Sequence, residues 1–218
     1  MEMIPEVRLE NGRVQVVREV ERTLAHAGEK RWHPTTQILV TDGARYALVD
    51  KYPKNLRKAE LYGYEKPPRS IRLDVFGGHM QWEQLTARDR ENGVSQETFD
   101  ACALEEASEE MRLNGAPCVP EAERMRFIGM AELAEEREVC AVYVYRVEPG
   151  TEVAGQDDAA LPGGGREQIP LRVWWLDEDT LERMYARQQT ELPVELDGRP
   201  AQLCSGLTAA WRTLKNLR

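Results

Sequence analysis

Cysteine is scarce in this sequence. The 218 residues hold four, Cys102, Cys118, Cys140 and Cys204, and no two form a CxxC pair, so neither a thiolate zinc site nor a disulfide framework is supported. Histidine is scarcer: His26, His33 and His79 are the only three, far apart along the chain. Long apolar runs are missing too. None approaches the ~20 residues of a membrane span, and the opening MEMIPEVRLENGRV lacks the apolar core of a signal peptide. A cytoplasmic protein with no membrane partner is therefore expected. Basic charge is in deficit, with 29 Lys and Arg against 38 Asp and Glu and a formal charge of −9. That balance argues against a nucleic-acid polymer as partner, because such binders carry a basic footprint. It leaves room for a small phosphorylated substrate whose charge a metal neutralises. No internal repeat is present. The glycine run Gly163–Gly165 is not a phosphate-binding P-loop, since no Lys-Ser or Lys-Thr follows it.

Acid, by contrast, is concentrated. The stretch Phe99 to Leu113 reads FDACALEEASEEMRL and places Glu105, Glu106, Glu109 and Glu110 within six positions. Alanine, leucine, methionine and glutamate favour a helix, and no glycine or proline interrupts. At about 100° per residue the four carboxylates fan over roughly 140° of one face, with Leu104, Ala107 and Met111 opposite. Each i,i+4 pair, Glu105/Glu109 and Glu106/Glu110, costs ~0.2–0.5 kcal/mol when solvated. The one basic residue close by is Arg112. A solvated face is the ordinary reading of such a run; a divalent cation answers the repulsion better.

The rest of the chain, 41% hydrophobic, suits one globular domain with extensions. Residues 12–28 carry Val14, Val17, Val20, Leu24 and Ala27 at helical spacing with Gly28 as a stop, so residues 1–32 are expected as an N-terminal helical extension. His33-Pro34 leads into TTQILVT, an Asp42-Gly43 turn and RYALVDK, a strand hairpin. A loop-rich basic stretch follows, from Lys51 to Arg69. IRLDVF at 71–76 reads as a strand ending at Gly77-Gly78-His79, and RMRFIGMAEL and REVCAVYVYRVE as two more. Residues 149–169, rich in Gly, Pro and Asp, are expected to form a long mobile loop. LRVWWL is a strand, Asp177 caps a helix to about Gln188, and residues 203–217 form a last helix with Leu203, Leu207, Ala210 and Leu214 on one face. Strands with few helices between them point to an α+β or mixed α/β fold. The divisions expected are 1–32, a domain over 33–190, and a C-terminal helix within 191–218 packed on it.

The acidic helix and its flanks resemble the Nudix box of the Nudix hydrolase superfamily, G-x5-E-x7-R-E-U-x-E-E-x-G-U with U a bulky apolar residue. Glu97 is followed by seven residues, then Glu105-Glu106, Ala107, Ser108, Glu109-Glu110, Met111, Arg112 and Leu113. Gly77-Gly78 resembles the family's glycine pair, and Thr98 stands where a helix cap is needed. The chain departs from the pattern in three places. Eighteen residues lie between Gly78 and Glu97 where the family has five; Glu105 replaces the arginine; and Arg112 replaces the late glycine, with Gly115 three positions on.

The resemblance implies an α/β/α sandwich with a mixed sheet and a Mg²⁺- or Mn²⁺-dependent pyrophosphohydrolase acting on a small nucleoside diphosphate derivative. By it, Glu106, Glu109 and Glu110, with Gly78, are the metal-binding positions, and Glu97 belongs to the catalytic set by orienting the box. Carboxylate-only clusters suit hard cations. Lys51, Arg57, Arg69 and His79 are candidates for substrate contact, against the plainer reading of solvated or strand-capping side chains. One of Glu132, Glu135 and Glu136 is placed to be an additional acid. A second copy of the chain, as a homodimer, is the one protein partner considered. Two alternatives stand beside hydrolysis. Glu105 in the arginine position permits a catalytically degenerate Nudix-fold ligand-binding or regulatory protein. The HP before the first hairpin and the GGH after a strand also resemble the isopentenyl diphosphate isomerase branch, a diphosphate isomerase, although no cysteine stands beside His33 or His79 in the sequence. The substrate is set by loops rather than by the box and is not legible.

Overall fold

The computed structural model describes residues 2–217. The chain opens on a hairpin of β1 (Met3–Glu10) and β2 (Arg13–Glu21). The helix expected over 12–28 is therefore a strand for most of its length, and only α1 (Arg22–Ala25) is helical. The reason is local. Asn11 and Gly12 both take positive φ, 51° and 74°, the Asn-Gly turn that hairpins favour, and the β-branched Val14, Val16, Val17 and Val20 suit a strand. Val7 and Val14 enter the main core, while Ile4, Val20 and Ala25 form a small cluster of their own.

Strands β3 (His33–Thr41) and β4 (Arg45–Asp50) follow. The basic stretch expected as loop contains α2 (Tyr52–Tyr62), with Pro53 in its first turn and Gly63 in the left-handed conformation (φ 68°) at its end. Next come β5 (Ile71–Asp74), α3 (Ala87–Asn92) and the acidic helix α4 (Gln96–Glu110). Helix α4 is capped by Ser95, which accepts the Thr98 N–H, rather than by Thr98 itself. It stops at Glu110 because Met111 turns to extended backbone. The chain continues through β6 (Met111–Leu113), β7 (Ala116–Pro117), β8 (Met125–Leu133) and β9 (Glu138–Arg146). Residues 149–169, expected as a mobile loop, instead contain β10 (Val153–Ala160) and lead into β11 (Arg166–Leu171), with the glycine run at their turn. Alternate residues Val153, Gly155, Asp157 and Ala159 are buried; glycine and aspartate in those inward places hide the period-two pattern of a strand. The chain ends with β12 (Val173–Asp177), α5 (Glu178–Gln189), β13 (Glu195–Leu196), β14 (Arg199–Leu203) and α6 (Ser205–Lys215).

The main sheet runs β13-β14-β5-β4-β3-β9-β8, with β12 also on β4. It is mixed: β3 is parallel to β9 and β5 to β14, and the other pairs are antiparallel. On one face Ile38, Val40, Phe76 and Tyr143 pack with Phe99, Ala103 and Ala107 of α4. On the other, Leu39, Leu48 and Val142 pack with Leu181 of α5 and with Leu207, Ala210 and Trp211 of α6. The fold is thus the α/β/α sandwich with a mixed sheet that the sequence led us to expect. The second sheet, β11-β10-β6-β7, adds Val153, Ala159, Ile169 and Leu171 to the α4-side core. Among the described residues no helix is long and apolar enough to cross a membrane.

The long segment before α4 is fastened by one carboxylate. Asp89, 1% exposed, accepts the Thr86 N–H (2.9 Å), the hydroxyls of Thr86 (2.6 Å) and Thr98 (2.7 Å), and the Ser95 N–H (2.8 Å). Burial opposes the charge, but these donors hold the carboxyl well below the usual range. A lowered folded value means that the stabilisation is present above the unfolded value near 4 and is lost as pH falls through the folded one. Asp89→Ala is expected to lower stability by about 2–3 kcal/mol at pH 7 and by progressively less in acid, measured by urea unfolding across pH.

Candidate active site

After β5 the chain does not leave the sheet. Ile38 and Phe76 exchange both backbone hydrogen bonds, Thr36 N–H donates to the Gly78 carbonyl (2.9 Å) and Met80 N–H to that of Pro34 (3.1 Å). Residues 75–80 therefore form a ribbon along the first half of β3, under the last turns of α4. The two glycines of that ribbon serve different ends, Gly77 the backbone path and Gly78 the placing of Glu106. Gly77 has φ 122°, and a Cβ there would lie 2.2 Å from the Thr36 carbonyl oxygen; a Cβ on Gly78 would lie 2.5 Å from Oε2 of Glu106. The Gly78 carbonyl accepts one hydrogen bond, from Thr36, and the missing side chain gives the Glu106 carboxylate room.

Helical spacing sorts the four glutamates. Glu105 is exposed and accepts from Gln84 Nε2 (2.6 Å). Glu109 is exposed, and its carbonyl accepts from Gln156 Nε2 of β10 (2.5 Å). Glu106 and Glu110, one turn apart, face inward. Glu110 is buried; Oε2 accepts the Gly77 N–H (3.0 Å) and Oε1 lies 3.1 Å from Lys51 Nζ. Glu106 lies against Gly78, and no hydrogen bond or ion pair to its carboxylate is found among the described residues. Burial, then the charges of Glu110 and Glu109, push its carboxyl up to about 8. Burial, and next the charge of Glu105, raise Glu109. For Glu110, burial outweighs the attraction of Lys51, and its carboxyl is raised as well.

Lys51 is shared. Its ammonium also lies 2.9 Å from Oδ2 of Asp157 on β10, an oxygen that takes Lys54 Nζ at 2.6 Å too. Burial works against Asp157, yet the two ammoniums hold its carboxyl well below the usual range. Lys51 is raised despite burial, by Glu110 and Asp157. The two ammoniums thus favour the charged form of Asp157, while burial disfavours that of Glu110.

The other expected residues are dispersed. Glu97 is exposed in the first turn of α4, with no side-chain hydrogen bond or ion pair found among the described residues. Arg57 pairs with Glu167 (2.9 Å). Arg69 lines a separate cavity of about 360 Å³ with Asp50, Tyr52, Ile71 and Arg199. Lys51 is only 13% exposed in its side chain and is taken up by carboxylates rather than turned to solvent. Glu136 pairs with Lys30 (2.7 Å); the outside acid that joins the cluster is Asp157, hidden in a stretch that read as loop.

His79 belongs to a second group. The histidines, distant in sequence, are gathered by the fold so that one nitrogen from each of His26, His33 and His79 lies within 4.8 Å of the others. Nε2 of His26 and Nε2 of His79 are 3.1 Å apart. His33 is fully buried; its Nδ1 meets the Arg31 carbonyl (2.7 Å) and its Nε2 has no hydrogen-bond partner, with Glu138 Oε1 at 3.8 Å. Burial drives both His26, to about 4, and His79, well down, so these two imidazoles are neutral at pH 7. Cys140, two residues from Glu138, lies near in space, but it is fully buried and burial pushes its thiol up to about 12.

The two glycines make contrasting demands. At Gly77 the obstruction is backbone and φ is positive, so Gly77→Ala is expected to lower the melting temperature strongly, a strain of about 3 kcal/mol or more. At Gly78 the obstruction is the end of a flexible side chain, so Gly78→Ala keeps the fold and displaces Glu106. Thermal melting and crystal structures of the two variants check this.

No family model and no curated protein matches the sequence. Among solved structures the chain is similar to Tm1382, a putative Nudix hydrolase, at 13% identity and a TM-score of 0.48, over 93% of this chain and 81% of that one.

Proposed function

We propose that this protein is a divalent-metal-dependent, Nudix-type hydrolase that cleaves a diphosphate linkage in a small nucleoside diphosphate derivative. The observation that carries the reading is Glu106: a carboxylate drawn inward beside two others, given room by a glycine and given no donor by the protein. Such an acid is satisfied by a proton or by a cation. The all-oxygen donors of Glu106, Glu109 and Glu110 suit Mg²⁺ or Mn²⁺ in chemistry; among the described residues they are not drawn together as the three histidines are, so they would close on the ion as it binds, and a bound ion would neutralise the phosphate oxygens and make a nearby water more acidic. Glu110, fixed by Gly77 and Lys51, sets the floor of the site. Glu109, open to solvent, would accept the proton of the attacking water. The water oxygen bonds to phosphorus, the bridging P–O bond breaks, and the electron pair leaves with the second phosphate. Glu105, turned to Gln84, takes no part.

Glu106→Gln, Glu109→Gln and Glu110→Gln are each expected to lower turnover about tenfold or more, ~1.4 kcal/mol per decade, with the fold intact. The measurement is hydrolysis of nucleotide sugars, dinucleoside polyphosphates and NAD-like compounds with Mg²⁺ and Mn²⁺. Wild-type rates in all three variants would sink the mechanism, and tight binding without turnover across the panel would favour the regulatory reading.

One observation favours a second reading, a diphosphate isomerase that uses the histidines. Two ligands of one tetrahedral ion at about 2.0–2.1 Å sit roughly 3.3 Å apart, close to the 3.1 Å between His26 and His79. The unpartnered Nε2 of His33 supplies a third donor and Glu138 a carboxylate. Under this reading Co²⁺ gives a d–d absorption band that His33→Asn abolishes, and prenyl diphosphates are isomerised. A Co²⁺ spectrum unchanged by that substitution would remove it.

A further inference from the structure

The helix that carries the acids carries no cation for them. Glu105 stands where the resembled motif has an arginine, and its carboxylate faces Gln84. A cation nevertheless reaches the cluster from a different element. Lys51, between β4 and α2, places its ammonium 3.1 Å from Oε1 of Glu110 and 2.9 Å from Oδ2 of Asp157, with all three side chains nearly removed from solvent, 13%, 10% and 9% exposed. From the far side of the same carboxylate, Oε2 of Glu110 accepts the Gly77 N–H. Glu110 is thereby held at both oxygens, by a charge and by a backbone donor, in one rotamer. Asp157 is held in turn by Lys54 (2.6 Å) and by the Asp158 N–H (2.7 Å), so the lysine has a fixed anion behind it.

We propose that Lys51, backed by Asp157, is the positioning residue for Glu110, and that this buried lysine does from the link between β4 and α2 what no residue of α4 is placed to do. The inference rests on the reading of Glu110 as a metal-binding acid only for its functional consequence; the positioning itself is independent of metal. A buried ammonium between two carboxylates earns little net stability, because desolvation offsets the attraction. Removing it leaves two buried acids facing each other, and Glu110 then has reason to swing off Gly77.

Two measurements test this. In metal-free protein, the Gly77 amide is protected from hydrogen exchange through Glu110; Lys51→Met is expected to speed its exchange by about tenfold or more relative to amides in β9, and Lys51→Arg to restore protection to within about threefold. Unchanged Gly77 exchange in Lys51→Met overturns the positioning role whatever the metal does. In Mn²⁺ titrations followed by electron paramagnetic resonance, Lys51→Met is expected to weaken binding about 10–100-fold, and to add nothing in a Glu110→Gln background, since the lysine acts through that acid. Additive losses, or tighter Mn²⁺ binding in Lys51→Met, also overturn it. Exposed Gly77 together with no Mn²⁺ binding by the wild type would retain the positioning role and reject the hydrolase reading, so the two failures are distinct.

Discussion

The structure turns on how closely the end of α4 approaches the ribbon of residues 75–80. Two missing side chains make the approach possible. Without Gly77 the ribbon cannot pass the Thr36 carbonyl, and without Gly78 the Glu106 carboxylate has no place to lie. Because the ribbon is hydrogen-bonded to β3, and β3 is parallel to β9 along its whole length, the position of the acids is referred to the centre of the sheet rather than to a loop. Sites built on such elements are held more tightly than sites on connecting segments.

That contact also explains why some of the molecule was legible in the sequence and some was not. The acids of α4 could be read because helical periodicity is local: spacing alone separates the inward pair Glu106 and Glu110 from the outward Glu105 and Glu109 once the ribbon supplies a direction. The glycine pair was legible for the same reason, at the end of a strand with a clean apolar pattern. Asp157 was not. Its strand places glycine and aspartate where apolar residues normally face inward, and Gly155 is needed because a Cβ would come within 2.7 Å of Val49, so the feature that builds the strand erases its signature. Valines at 14, 17 and 20 satisfied a helical period by coincidence, and the Asn-Gly turn three residues earlier was the better guide. The histidines illustrate a different limit. Their proximity depends on the end of α1, on β3 and on the ribbon together, and no local pattern encodes a meeting of three elements.

Two inward-facing carboxylates near α4 show how environment assigns role. Asp89 has four donors around it and is held charged, and its place is to tie the long segment before the helix to the helix start. Glu106 has none, and its charge is opposed by burial and by two neighbouring acids. The same chemical group is in one case a rivet and in the other an unmet demand. A protein with only marginal stability does not retain an unmet demand by packing alone, and a carboxyl raised toward neutrality is the kind of group that functional sites collect.

The distribution of cations sharpens the point. Near the cluster, Lys51 and Lys54 both serve Asp157, and only one of them reaches Glu110. None forms an ion pair with Glu106 or Glu109 among the described residues. The ion pairs are therefore uneven across the cluster: Lys51 and Lys54 lie at the β10 side, while Glu106 and Glu109, whose charge burial and neighbouring acids oppose, have none among the described residues. Under the hydrolase reading proposed above, a cation would satisfy the acids that the lysines leave unpaired, and an anionic substrate would be drawn to the cluster only through it.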